Sequence, residues 1–100
     1  MEKEEIKRDG ASPQKNSGRG KIQKGDATIG AFCYDIKEYG KSFSLSTSVW
    51  AKICSDAYKS GRLEPALKIV LGTDKKVRLW VIEDEMFHQM RGAWDQLYGE

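Results

Sequence analysis

One hundred residues with 17 Lys and Arg against 15 Asp and Glu carry a net charge of +2, and 39% of the chain is hydrophobic against 32% charged. That balance suits one domain around one core and excludes a uniformly basic nucleic-acid coat protein. No apolar run approaches the ~20 residues of a membrane span and no signal peptide is visible, so a cytoplasmic protein with no membrane partner is expected.

The chain opens with Glu2-Lys3-Glu4-Glu5-Ile6-Lys7-Arg8, acids first and bases last, the order that suits a short helix and its dipole. Gly10 ends that helix, and Ser12-Pro13-Gln14-Lys15-Asn16-Ser17-Gly18 has the chemistry of a loop. From 10 to 25 the only charges are Lys15, Arg19, Lys21 and Lys24, interleaved with Gly10, Gly18, Gly20 and Gly25. A glycine-rich, purely cationic loop of this kind is suited to following a phosphate backbone.

Ala27 to Tyr34 is rich in β-branched and aromatic residues, with Gly30 as the place to turn, which predicts a hairpin. Such a hairpin sets Asp26 and Asp35 at one end, where two carboxylates can share a divalent ion and leave room for water and phosphate. Along a strand side chains alternate, so Asp35 and Lys37 share a face while Ile36 turns away. Their Cα atoms then lie roughly 6.5 to 7 Å apart, a gap the lysine stem can close. Two acids and an amine in this setting are the minimum kit for metal-assisted phosphodiester cleavage.

After a polar bridge from Lys41 to Ser46, a helix capped by Ser46, Thr47 or Ser48 is predicted to about Ser60, with Gly61 as its natural C-cap. Val49, Trp50, Ile53, Cys54, Ala57 and Tyr58 form one wide apolar stripe that should lie on a sheet. Ala66–Leu71 and Val77–Ile82, separated by Thr73-Asp74-Lys75-Lys76, read as strands at the sheet centre. A last helix opens at Glu83 or Asp84 and sets Phe87, Met90, Trp94 and Leu97 on one face. The lone His88 in it has no ligand partner at i+4. Cys33 and Cys54, without CxxC spacing or a nearby histidine, read as reduced core thiols and not as a zinc site. The expected class is α/β (α+β), a mixed sheet of about four strands flanked by helices in the order α-β-β-(β)-α-β-β-α.

With the basic loop, Gly25-Asp26, Asp35-Ile36-Lys37 and then helix, strand, strand in place, the chain resembles the PD-(D/E)XK nuclease superfamily, and within it the small phage and archaeal-type Holliday junction resolvases. The likeness runs over about residues 15 to 85. It includes Ser17-Gly18-Arg19 in the loop, the helix from Trp50 through Arg62, and the strand Pro65–Leu71. Gly25 stands where the family has a proline. The resemblance implies a restriction-endonuclease-like core, a single nuclease-like domain over 1–100, and a magnesium-dependent endonuclease, with manganese as an alternative, acting on branched DNA in recombination or phage DNA processing, in the host cytoplasm if phage-encoded.

It further implies Asp26 and Asp35 as metal ligands with the Ile36 carbonyl completing the shell, and Lys37 as the group that orients and helps deprotonate water. Ser17, Arg19, Lys21, Lys24 and Lys41 would hold the DNA backbone, and Glu2 or Glu4 of the first helix would be the candidates for a further acid. Symmetric cutting of a four-way junction implies a homodimer. In a chain this short Trp80, Phe87, Met90 and Trp94 are expected mainly in the core, with a dimer face as the alternative. A non-catalytic DNA-binding or phage accessory module on the same fold is the competing expectation.

Overall fold

A computed structural model describes residues 2–14, 25–61 and 63–99. Its elements run α1 (Glu2–Asp9), β1 (Ser12–Pro13), β2 (Ala27–Ile29), β3 (Phe32–Tyr39), α2 (Thr47–Lys59), β4 (Glu64–Leu71), β5 (Val77–Val81) and α3 (Asp84–Tyr98). The five strands form one mixed sheet in chain order, β1-β2-β3-β4-β5. β3 and β4 are parallel, joined across the sheet by α2, and every other neighbouring pair is antiparallel.

The hairpin turns at Gly30 (φ +57°), and its register sets Ala27 opposite Tyr34, which leaves Asp26 and Asp35 as the next positions at the open end. Ser46 caps α2, its hydroxyl accepting from the Val49 N–H at 3.2 Å, and Gly61 follows the helix with φ +107°. The hairpin turn and the N-cap match the sequence expectations, whereas the C-cap position falls to Ser60 and Gly61 takes the left-handed position just after it.

Alternation along β3 and β4 builds two cores. On one face Ile6 of α1 joins Ala27, Tyr34, Ile36, Ala66 and Val70; on the other Ile53 of α2 joins Leu67 and Ile69, flanked by Phe43, Val49 and Trp50. β4 is buried along most of its length and is a true centre strand. β5 is not. It forms the sheet edge, with Val77, Leu79 and Trp80 about half exposed, while Arg78 bonds to Glu5 on the α1 face.

Two further expectations change. The additional strand precedes the hairpin: Ser12–Pro13, read as loop, pairs with Thr28 and Ala27, whereas 42–46 holds no strand. A proline is tolerated there because β1 is an edge and needs no second ladder. The apolar residues of α3 do share a face, but none is buried: Phe87 is 52%, Met90 49% and Trp94 61% exposed. With α1 and α2 already on the two sheet faces, the core closes without them.

Candidate functional site

Asp26 sits one residue before β2, on the side opposite the buried Ala27, so its side chain faces the same side of the sheet as Asp35. Its position is fixed three ways. The Asp26 N–H donates to the Tyr34 carbonyl at 3.0 Å, its carbonyl accepts from the Gln14 N–H at 3.0 Å, and its Oδ2 accepts from the Ile36 N–H at 2.7 Å. The last bond ties the first acidic position to the backbone of the Asp-x-Lys triplet. Because the N–H and C=O of one strand residue point to the same side, the Ile36 carbonyl also faces the Asp26 edge.

Gly25 explains the departure from proline. Its φ is +84°, which a proline ring cannot adopt, and a Cβ there would lie 2.7 Å from Cys33 Sγ and 3.5 Å from Asp35 Oδ1. The glycine lets the chain pass close against Asp35.

Asp35 itself is 9% exposed. Burial pushes its carboxyl above the ordinary value, and the charges of Asp26 and Asp56 push it further in the same direction; Lys52 and Lys37 only partly offset this. Lys37, on the same face of β3 and half-buried, has no ion pair among the described residues. The sheet and α2 thus enclose an excess of negative charge beside an available ammonium.

Two residues the sequence reading missed belong to this site. Asp56 is buried in α2, and Lys52 one turn earlier donates to its Oδ2 at 2.9 Å. That hydrogen bond is the main reason the Lys52 ammonium holds its proton more tightly than usual, with Asp35 and Asp26 adding to it. The signal was present: Asp56 follows Ile53 by three and Val49 by seven, which places an acid on the inward stripe of α2. At the rim, Gln14 Nε2 donates to Ser60 Oγ at 3.0 Å and approaches Cys33 Sγ at 3.9 Å. Burial raises the Cys33 thiol, so it stays protonated, a packing group and not a nucleophile.

The candidate acid of α1 lies elsewhere. Glu4 borders a hollow with Arg8, Asp74, Lys76 and Arg78 at the β4–β5 turn, and Glu5 is bound to Lys68 and Arg78 on the opposite sheet face. Lys41 is exposed just beyond β3. Ser17, Arg19, Lys21 and Lys24, with Arg62, lie outside the described residues, and so does the Glu2 side chain.

The donor set suits a hydrated divalent ion. Magnesium keeps several waters and needs only one or two carboxylates from a protein, which Asp26 and Asp35 supply, with the Ile36 carbonyl on the same edge. Among the described residues no three His, Cys, Asp or Glu side chains gather as a ready-made metal cage. No helix among the described residues is long and apolar enough to cross a membrane. No protein-family model, curated protein or solved structure matches this chain.

Proposed function

We propose that the chain is a divalent-metal-dependent, structure-selective DNA endonuclease of the PD-(D/E)XK type, hydrolysing phosphodiester bonds in branched DNA such as a Holliday junction. The observation that supports the reading is the placing of Asp26 and Asp35 at the open end of the β2–β3 hairpin on one side of the sheet, with Lys37 the next residue on that face of β3 and the Asp35 carboxyl destabilised as an anion by burial and by its acidic neighbours. A bound cation would supply charge neutralisation and a water of lowered pKa.

The residues of the chain do the rest. Asp26, anchored through Oδ2 to the Ile36 N–H, and Asp35 would hold the ion. Lys37 Nζ would orient the attacking water, take its proton as the neutral amine and, as the ammonium so formed, offset charge on the phosphate in flight. Lys52 offers a second amine, 72% exposed, at the mouth of the site. Lys41 and the basic loop, with Ser17, Arg19, Lys21 and Lys24, would hold the backbone and so favour shape over sequence.

The test is cleavage of branched DNA by the purified chain with magnesium. Asp26→Ala and Asp35→Ala should each abolish cutting, and undiminished cleavage in both would end the assignment. Lys37→Ala should retain DNA binding while cutting roughly 10²- to 10⁴-fold more slowly, the usual worth of a proton-transfer group.

One observation favours a second reading, a DNA-binding module on the same fold without catalysis. α1 packs on the opposite sheet face, so its described acids, Glu4, Glu5 and Asp9, do not join the pair formed by Asp26 and Asp35. Calorimetry with magnesium or manganese separates the two readings, since a mere binding module takes up no metal through these carboxylates.

A further inference from the structure

Helix α3 displays an apolar seam that its own fold does not use. Phe87, Met90, Trp94 and Leu97 recur at three and four residues, yet no residue of α3 is buried, and Leu97 is 78% exposed. An isolated helix of 15 residues is marginal in water and takes its stability from packing an amphipathic face. Next to the seam lies an apolar cleft of about 330 Å³, lined by Ile29, Phe32, Ala66, Trp80, Ile82 and Met90, with no polar surface in its walls. Each chain therefore presents a protruding apolar helix and an unfilled apolar cleft side by side.

We propose that this surface binds a second copy of the same chain, the α3 seams meeting about a two-fold axis so that each helix closes over its mate's cleft. A two-fold contact requires a self-complementary patch, and ridge and cleft on one surface meet that requirement. The area is right as well. From their fractional exposures, Trp80, Phe87, Met90, Trp94, Leu97 and Tyr98 leave roughly 700 Å² of side chain uncovered, close to the ~800 Å² per partner of a stable interface. Net charge opposes pairing only weakly at +2. The seam involves neither Asp26 nor Asp35, so this inference does not depend on the nuclease reading.

Sedimentation equilibrium of the full chain tests it over about 1 to 100 µM, a range that spans dimers of ordinary affinity. The expected result is a mass rising to twice that of one chain, and a Trp94→Glu/Leu97→Glu double variant that keeps the single-chain mass throughout with an unchanged circular dichroism spectrum. Hydrogen exchange on the unaltered protein gives a second readout that needs no variant to fold: α3 amides should be slower at the higher concentration while those of β3 and β4 do not change. A single-chain mass at the highest concentration, a double variant that still doubles, an open-ended assembly, or α3 exchange indifferent to concentration would each overturn it.

Discussion

The two faces of the central sheet bury ionised groups at similar depth and to opposite effect. On the α1 face Lys68, 1% exposed, lies 2.8 Å from Glu5 and 2.6 Å from Asp9. Arg78 donates twice more to Glu5, at 3.0 and 3.2 Å, and the Tyr34 hydroxyl donates to Asp9 at 2.8 Å. The Arg78 guanidinium, with Lys68 behind it, holds the Glu5 carboxyl down at about 2 against burial. On the α2 face, among the described residues, Asp26, Asp35 and Asp56 face Lys52 and Lys37; Lys52 is bonded to Asp56, and Asp35 is pushed up. The buried acid of the α1 face is thus matched by cations, whereas Asp35 is only partly compensated by the described residues around it.

The strongest way to break this contrast is to unmatch the matched face. Lys68→Met strands Glu5 and Asp9 without their shared ammonium, and removing one member of a buried ion network costs on the order of 3–5 kcal/mol. That is a large part of the ~5–15 kcal/mol that holds a domain folded, so denaturant titration should show a midpoint far below that of the parent chain. A midpoint near the parent's would mean that the cluster is solvated and the two faces are alike.

The opposite face should respond with the opposite sign. Asp35→Asn removes a poorly compensated buried charge, so thermal unfolding without added metal should move upward by a few degrees. The same change should abolish the stabilisation by magnesium that the nuclease reading expects of the parent chain, a stabilisation that would grow with concentration by mass action. Stability gained as function is lost is the expected signature of a site built for a ligand. If Asp35→Asn lowers the melting temperature and leaves the magnesium response intact, the acid is structural.

Much of this was legible in local pattern. The hairpin, the N-cap of α2 and the end of β4 follow from Gly30, Ser46 and Gly72, each a short-range cause acting on its own neighbours, whereas Pro65, read as the strand's boundary, lies inside β4 opposite Cys33. The meeting of Asp26 and Asp35 follows from register, which two-residue alternation dictates once the turn is placed. What pattern cannot carry is which of several apolar faces finds a partner within one chain. The seam of α3 has the spacing of a core helix, and only the filling of both sheet faces by α1 and α2 leaves it outside. The service of Glu5 and Asp9 to Lys68, 63 and 59 residues away, is equally long-range, and so Glu4 reads from sequence as a candidate metal acid although it borders the other side of the sheet.

The finest test of the contrast is its pH dependence. Glu5 has an ordinary value of 4.5 and is held at about 2 in the fold, so its stabilising share is complete above 4.5 and disappears as pH falls from there towards 2. Asp35 runs the other way. Its folded value lies above the ordinary 3.8, so the folded chain keeps this proton after the unfolded chain has lost it, and stability falls as pH rises through that window. Below 3.8 Asp35 is neutral in both states and resembles asparagine, so the advantage of Asp35→Asn should vanish there, open as pH rises, and level off once the folded carboxyl has ionised. Denaturant midpoints for the two chains at a series of pH values measure that difference directly. A difference of the opposite sign, with Asp35→Asn the less stable chain by a margin that grows as pH rises, would show instead that Asp35 is stabilised as an anion.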